Sequence, residues 1–141
     1  MILYKMTQNI KFLIGNKAKK TIQSISELNN IKYVNGWLEE SATCKCFIKF
    51  IDGKIVSIAL LRKMDFDPYG DHINPYLINY IHTMKDYRRL GYMNDLLIHI
   101  KSRNQITSAC ENTASLNAFL KAGYKNVGKD SMFGRCDMVK N

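Results

Sequence analysis

Apolar residues recur along this chain with two different spacings, which predict an alternation of strands and helices. The segment from Tyr76 to Thr83 combines aromatic and β-branched residues as strands do. Leu96, Leu97 and Ile100 fall on one face of a helix. Strands are predicted over Ile10–Ile14, Cys44–Phe50, Lys54–Leu61, Tyr76–Thr83, Ile106–Cys110, Tyr124–Val127 and Met132–Val139. Helices are predicted over Ala18–Leu28, Tyr33–Glu40, Met93–Arg103 and Thr113–Lys121, with Asn16 and Asn112 as caps of the first and last.

The second and third strands are predicted to form a hairpin. Asp52 and Gly53 stand between two apolar, β-rich segments. An Asp-Gly pair in that position is the strongest short-range hairpin signal, because both residues tolerate the positive φ of a tight turn. The chain therefore reads as one alternating α/β unit.

Length and composition support a single compact domain over residues 1–141. The chain is 46% hydrophobic, which is enough for one ordinary core. No apolar run reaches the roughly 20 residues of a membrane span, and the first residues lack the apolar core of a leader peptide. We expect a cytoplasmic protein whose four cysteines are reduced and buried, with no metal site at Cys44 and Cys46.

The charge of the chain favours anionic partners. Lys and Arg number 21 and Asp and Glu number 12, which gives a formal net charge of +9. A polyanionic cofactor, a nucleic acid or an acidic membrane surface would each fit this charge, and charge alone does not choose among them.

The segment from Tyr87 to Met93 lies between a predicted strand and a predicted helix, and it has the composition of an anion-binding turn. Gly91 allows the backbone to approach an anion, and the unpaired N–H groups at the start of the helix attract negative charge. Lys85, Arg88 and Arg89 would add charged contacts to phosphates. A glycine in such a turn also occurs in proteins that bind no phosphate.

Two motifs in this order resemble the GNAT superfamily of acyl-CoA-dependent N-acetyltransferases. The family signature is Arg or Gln, two residues, Gly, one residue, then Gly or Ala, between the fourth strand and a long helix. Arg88, Gly91 and Met93 stand at those positions, and Met93 departs from the small residue usual there.

The second motif of the family is Asn, two residues, Ala, three residues, Tyr, three residues, then Gly-Phe. Asn112, Ser115, Phe119, Gly123 and Tyr124 have this spacing, with Ser for Ala, Phe for Tyr and Tyr for the final Phe. The resemblance covers roughly residues 44 to 128.

The resemblance implies a mixed, mostly antiparallel α/β sheet with helices on both faces and a splayed pair of central strands, which admits acetyl-CoA. The pantetheine arm would pair with the backbone from Tyr80 to Met84, and the N–H of Ile81 or a neighbour would polarise the acetyl carbonyl. Cofactor-binding residues implied in this way are Ile81, His82, Thr83, Met84, Arg88, Arg89, Leu90, Gly91, Tyr92, Met93, Asn112, Ser115 and Phe119. The C-terminal strand pair often serves as a dimer edge in this architecture, so a homodimer is one expectation.

The catalytic groups are less well defined than the cofactor site. A primary amine must lose a proton before it attacks, and Tyr80 and His82 are the nearest titratable residues on the strand. The Tyr that protonates the leaving thiolate in the family is Phe119 here, so Ser115, Tyr124 or solvent would have to take that role.

Three functions follow from the sequence. The first is transfer of acetyl from acetyl-CoA to a primary amine of unknown identity, without a metal. A polycationic acceptor such as spermidine would require Asp65, Asp67 and Asp71 at the acceptor mouth. The second is a CoA-binding interaction domain with little or no activity. The features that support it are Met93 and Phe119, the two departures from the family motifs. The third is a nucleic-acid-binding module, for which the basic residues would be Lys17, Lys19, Lys20, Arg88 and Arg89.

Overall fold

The computed structural model describes residues 7–40, 44–67, 70, 72–110, 112–130 and 136–141. The strands and α-helices of these residues are β1 (Gln8–Ile14), α1 (Gly15–Gln23), α2 (Lys32–Glu39), β2 (Lys45–Ile51), β3 (Lys54–Lys63), β4 (Tyr76–Thr83), α3 (Tyr92–Lys101), β5 (Thr107–Cys110), α4 (Thr113–Lys121), β6 (Lys125–Asp130) and β7 (Cys136–Lys140). Two short 3-10 helices, Ser26–Leu28 and Lys85–Tyr87, follow α1 and β4.

The strands form two antiparallel sheets. One has the order β1-β2-β3-β4 and the other the order β5-β7-β6. The sheets meet at a parallel bridge between Tyr76 at the start of β4 and Ile106 just before β5. The predicted α/β class, with a mostly antiparallel strand arrangement, is confirmed.

Helices cover both faces of the first sheet, because its strands are apolar on both sides. On one face α1 and α2 bury Ile22 and Trp37 against Ile58 and Leu60 of β3. On the other face α3 and α4 bury residues such as Leu97 against the sheet. A fully buried Leu or Ile side chain contributes roughly 1.5–3 kcal/mol to folding, so these two clusters hold the helices in place.

The predicted hairpin is confirmed. β2 and β3 pair antiparallel with Ile51 opposite Lys54. Asp52 and Gly53 have φ values of 50° and 79°, so both central residues of the turn are left-handed. This conformation matches the right-handed twist of the strands, which is why Asp-Gly is favoured there.

Two predictions near the N-terminus were wrong. The helix predicted over Ala18–Leu28 begins earlier, at Gly15, and Ile14 rather than Asn16 is its capping residue, without a side-chain cap. The helix also ends at Gln23, because the Ser24 hydroxyl donates to the Thr21 carbonyl at 2.6 Å and competes with helix propagation.

Other boundaries shift by a few residues. α3 begins at Tyr92 and ends at Lys101, and β6 runs on to Asp130. Met132, where the last strand was predicted to begin, lies outside the described residues, and β7 begins at Cys136. In the described part of the chain, no helix combines the length and the apolar character that a membrane crossing needs.

Candidate active site

The two sheets are joined at one end of β4 and β5 and then part. The Tyr76 N–H donates to the Gln105 carbonyl at 2.9 Å, and the Ser108 hydroxyl donates to the Ile78 carbonyl at 2.9 Å. Beyond Ile78 a cavity of about 320 Å³ separates the strands. It is lined by Tyr33, Arg62, Leu77, Ile78, Asn79, Tyr80, Ile81, Ala109, Asn112, Ser115 and Phe119.

A β-bulge at Asn79 lies at the point where the strands part. Leu61 is opposite Ile78 and Leu60 is opposite Tyr80, so Asn79 is an extra residue on β4. Asn79 is among the residues that line the cavity, and its Oδ1 atom is buried with no hydrogen-bond partner in the described part of the chain. A buried acceptor without a partner costs free energy, so the bulge is an unfavourable feature of β4.

Two backbone groups of β4 face the open edge of the first sheet. The Met84 N–H donates to the carbonyl of Val56, a residue of β3, at 2.8 Å. Because successive residues of a strand direct their backbone groups to opposite edges, His82 faces β3, whereas Ile81 and Thr83 face the cavity side. Of the four consecutive residues from Ile81 to Met84 that were predicted to bind the cofactor, Ile81 and Thr83 are therefore the two whose backbone is directed toward the opening.

The turn after β4 forms a second, basic pocket of about 220 Å³. Gly91, with φ of 81°, precedes the first residue of α3, and Arg89 is also left-handed, with φ of 65°. The pocket is lined by Thr83, Tyr87, Arg88, Arg89, Gly91, Tyr92, Met93, Asn94, Ala118 and Lys121. The unpaired N–H groups of the first helical turn and three cationic side chains make this pocket suited to phosphate groups.

The predicted residues of this turn have different environments. The Arg88 Nε donates to the Thr83 carbonyl at 3.0 Å, which fixes the turn against the end of β4. Met93 is partly buried against the cluster under α3 and α4, so its bulk is accommodated by packing. Leu90 is 59% exposed and is not among the residues that line the pocket.

The two pockets follow each other along the same two elements. On β4, Tyr80 and Ile81 line the cavity and Thr83 lines the basic pocket. On α4, Ser115 and Phe119 line the cavity and Lys121 lines the basic pocket. A single extended ligand could therefore occupy both.

A chain of three polar side chains leads from the cavity to the surface. The Tyr80 hydroxyl lies 3.5 Å from His82 Nδ1, and His82 Nε2 lies 3.2 Å from Glu27 Oε1. Glu27 also accepts a hydrogen bond from the Lys85 N–H at 3.0 Å. Glu27 is 55 residues from His82 in the sequence, and no spacing pattern pointed to it.

The electrostatics of this chain fit proton transfer. Burial acts to raise the pKa of Glu27, but the Lys85 N–H and the hydrogen bond and charge of His82 outweigh it, so the net shift is downward. Glu27 is therefore ionised at neutral pH. Burial raises the pKa of Tyr80, partly offset by the charge of Arg88, so Tyr80 is a neutral phenol that can both accept and donate a proton.

The predicted cap of α4 is confirmed. Asn112 Oδ1 accepts from the Ser115 N–H at 2.8 Å, and the Ser115 hydroxyl donates to the Asn112 carbonyl at 3.1 Å. Both residues line the cavity, as does Phe119, which is 2% exposed. Of Ser115 and Tyr124, the two residues predicted to protonate the leaving thiolate, Ser115 is therefore the one that lines the cavity.

Tyr124 has a different position from the other predicted catalytic residues. Its hydroxyl is buried and donates to the Leu97 carbonyl at 2.9 Å, and its ring packs edge-on against Phe119. Burial raises the pKa of Tyr124 far above its ordinary value. This placement favours packing rather than proton transfer for Tyr124.

Replacing Tyr124 with Phe tests that assignment. We expect the variant to lose about 1 kcal/mol of stability, because the buried Leu97 carbonyl loses its hydroxyl donor. Catalytic rate should stay within twofold of the native value. Urea unfolding measures the first quantity and steady-state kinetics the second; a large fall in kcat with little change in stability would restore Tyr124 as a proton donor.

Cys44, Cys46 and Cys110 are buried, as expected, whereas Cys136 is only partly buried. Burial raises the pKa of Cys46 and of Cys110 to about 12, so neither is a thiolate at neutral pH. Among the described residues, no group of three or more His, Cys, Asp or Glu side chains is arranged to hold a metal ion.

Comparison with solved structures identifies the fold. No family model and no curated protein matches the chain. The N-acetyltransferase YlbP of Bacillus subtilis, solved with coenzyme A, is similar with a TM-score of 0.67 at 17% identity, over 96% of each chain. A GNAT-family acetyltransferase of Bacillus cereus is similar with a TM-score of 0.63 at 17% identity, again over 96% of each chain.

A third similar structure is an aminoglycoside N-acetyltransferase, AAC(6')-Iy, solved with CoA. Its TM-score is 0.66 at 14% identity, with 92% of this chain and 95% of that chain covered. At such low identity the similarity establishes the fold and leaves the acceptor open. The chain has the fold of the GNAT-superfamily acetyltransferases.

Proposed function

We propose that this protein is an acetyl-CoA-dependent N-acetyltransferase that acts on a primary amine. The observation that carries the proposal is the succession of two pockets along β4 and α4, with the cavity between the parted strands β4 and β5 followed by the basic pocket at the start of α3. The first pocket offers strand-edge backbone groups and the second offers phosphate-binding groups. This order suits a long thioester with a diphosphate at its far end.

The basic pocket would hold the diphosphate, with Arg88, Arg89 and Lys121 around it and the N–H groups of α3 behind it. The pantetheine arm would then run along the open edge of β4 and bond to the backbone of Ile81 and Thr83. The N–H of Ile81 would donate to the acetyl carbonyl oxygen as negative charge develops there.

His82 would accept the proton that the attacking amine must lose. In this scheme the ammonium proton passes to the Tyr80 oxygen while the Tyr80 hydroxyl proton passes to His82 Nδ1, and the resulting imidazolium is stabilised by the Glu27 carboxylate. The free amine forms a bond to the acetyl carbon, and the carbon–sulfur bond breaks.

The leaving thiolate needs a proton that Phe119 cannot provide. After the attack, the nitrogen carries one proton more than the amide product. This proton would pass to the thiolate through solvent or through the hydroxyl of Ser115 at the cavity wall, which would take it up as it gives its own proton to the sulfur. Because thiol pKa values lie near 8.5, a thiolate is a tolerable leaving group at neutral pH, and turnover does not depend on a strong acid.

A CoA-binding domain with little or no activity is the second candidate function. The placement of Phe119, buried at the cavity wall where the family has a Tyr, favours it. Such a protein would bind acetyl-CoA and release no CoA with any amine.

Titration with acetyl-CoA followed by a CoA-release assay on a panel of amines tests the proposal. We expect binding in the micromolar range, about −8 kcal/mol, and turnover with at least one amine. Absence of acetyl-CoA binding by the folded protein would overturn both candidate functions, whereas binding without turnover would select the second.

A further inference from the structure

The wall of the cavity on the α1/α2 side has a chemical character of its own. Leu60 of β3 packs under α1 and α2, and side chains two residues apart on a strand share a face, so Arg62 lies on that side as well. Tyr80, which pairs opposite Leu60, and Leu77, which pairs opposite Arg62, share this face. The acceptor would approach from this side, because the α3/α4 side leads to the basic pocket.

Arg62 is the only charged side chain among the described residues that line the cavity. Its Nη1 donates to Glu40 Oε1 at 3.1 Å, and the two side chains are 44% and 37% exposed. An ion pair exposed to this extent is worth only about 0–1 kcal/mol. A carboxylate on a ligand can therefore take the place of Glu40 and use the guanidinium in a two-pronged contact.

Tyr80 offers an acceptor for an ammonium group on the same wall. It lines the cavity, and its hydroxyl oxygen is the atom that takes the ammonium proton in the proposed transfer. Tyr80 lies opposite Leu60, two residues before Arg62 on the same face of β3, so the phenol and the guanidinium belong to one wall. An α-amino acid carries an ammonium and a carboxylate on one carbon atom and can contact both groups.

Two tyrosine rings provide an apolar surface beside these polar groups. Tyr33 of α2 and Tyr80 of β4 have ring centroids 6.5 Å apart and an interplanar angle of 17°. Both rings line the cavity. A flat or aliphatic side chain of the acceptor would pack against them.

The geometry points to an acceptor that is a small primary amine with a carboxylate next to it, as in an α-amino acid with an apolar or aromatic side chain. Arg62 binds the carboxylate, the Tyr80 oxygen accepts from the ammonium, and the faces of the Tyr33 and Tyr80 rings contact the side chain. This inference rests on the proposed function and names the substrate class of the same site.

Positively charged acceptors fit this wall less well. A polyamine would place a second ammonium near Arg62. Of the aspartates predicted to line the acceptor mouth, Asp67 is buried and paired with Lys140, Asp65 is not among the lining residues, and Asp71 lies outside the described residues.

Calorimetric titration of the CoA-saturated protein with phenylalanine and with phenylalaninamide separates the contribution of the carboxylate. We expect the native protein to bind phenylalanine at least 10-fold more tightly than the amide. Arg62→Gln should weaken phenylalanine binding by about 10- to 100-fold, as expected for loss of a charge-assisted contact, and should leave amide binding within twofold. Arg62→Lys should restore part of the preference.

The matched control is Glu40→Gln, which removes the partner of Arg62. This variant should bind phenylalanine as tightly as the native protein or more tightly. The inference would be overturned if the native protein bound the two ligands equally or did not bind phenylalanine. It would also be overturned if Glu40→Gln bound phenylalanine more weakly. These titrations do not need turnover, so their result is independent of the CoA-release assay. Turnover with spermidine but not with phenylalanine would overturn the proposed substrate class, whereas the proposed transferase function would stand.

Discussion

Replacing His82 with Gln should lower kcat by about 100- to 1,000-fold, the range usual for loss of a general base. Glutamine keeps a polar group of similar reach but cannot take a proton. The hydrogen bonds to Tyr80 and Glu27 would no longer transfer a proton from the cavity toward the surface. The Kd for acetyl-CoA should change little, since the His82 backbone faces β3 rather than the open edge.

His99→Gln is the matched control for this variant. His99 is on α3, where its Nδ1 lies 3.3 Å from Arg103 Nη1, and it lines neither pocket. The kcat of the His99→Gln variant should remain near the native value. If His82→Gln kept more than a third of the native kcat at every pH tested, a water path would have to replace the Tyr80–His82–Glu27 chain.

The double variant Arg88→Ala, Arg89→Ala should weaken acetyl-CoA binding by about 10- to 100-fold. Hydrogen bonds to charged groups contribute about 1.5–3 kcal/mol each, and part of this is recovered by solvent and by Lys121. The loss should shrink at high salt, because screening already weakens the native contacts. Calorimetry at two ionic strengths measures both effects.

Lys125→Ala, Lys129→Ala is the control for the change in net charge. Both lysines lie exposed on β6, and neither lines a pocket. This variant should bind acetyl-CoA within twofold of the native protein. Equal losses in the two variants would mean that long-range attraction, rather than a phosphate site at α3, accounts for the affinity.

The local features of the fold were predictable from sequence because they depend on neighbouring residues. Asp52 and Gly53 specify their turn within two positions, and Asn112 caps α4 through the N–H of Ser115 three residues on. The end of α1 was missed because the hydroxyl of Ser24 turns back onto the Thr21 carbonyl, a contact that apolar periodicity does not report.

The parts of the candidate site that sequence could not provide depend on long-range contacts. Glu27 meets His82 only because the segment after α1 packs against the end of β4. Arg62 meets Glu40 across 22 residues for the same kind of reason. Asn79 did leave a signal, a polar residue between the apolar Ile78 and the aromatic Tyr80, but a bulge cannot be distinguished from an exposed position in one sequence.

The order of the strands also bears on how the chain folds. β1 to β4 are neighbours in the sheet in the same order as in the sequence, so each can pair with its predecessor as soon as it is available. The second sheet places β7 between β5 and β6, and it is incomplete until that later strand is in position. Contacts between distant segments form more slowly than local ones. We therefore expect the first sheet to form early, with the edge of β4 as the surface onto which the slower second sheet docks. The gap between the strands is then expected to be the last part of the molecule to form.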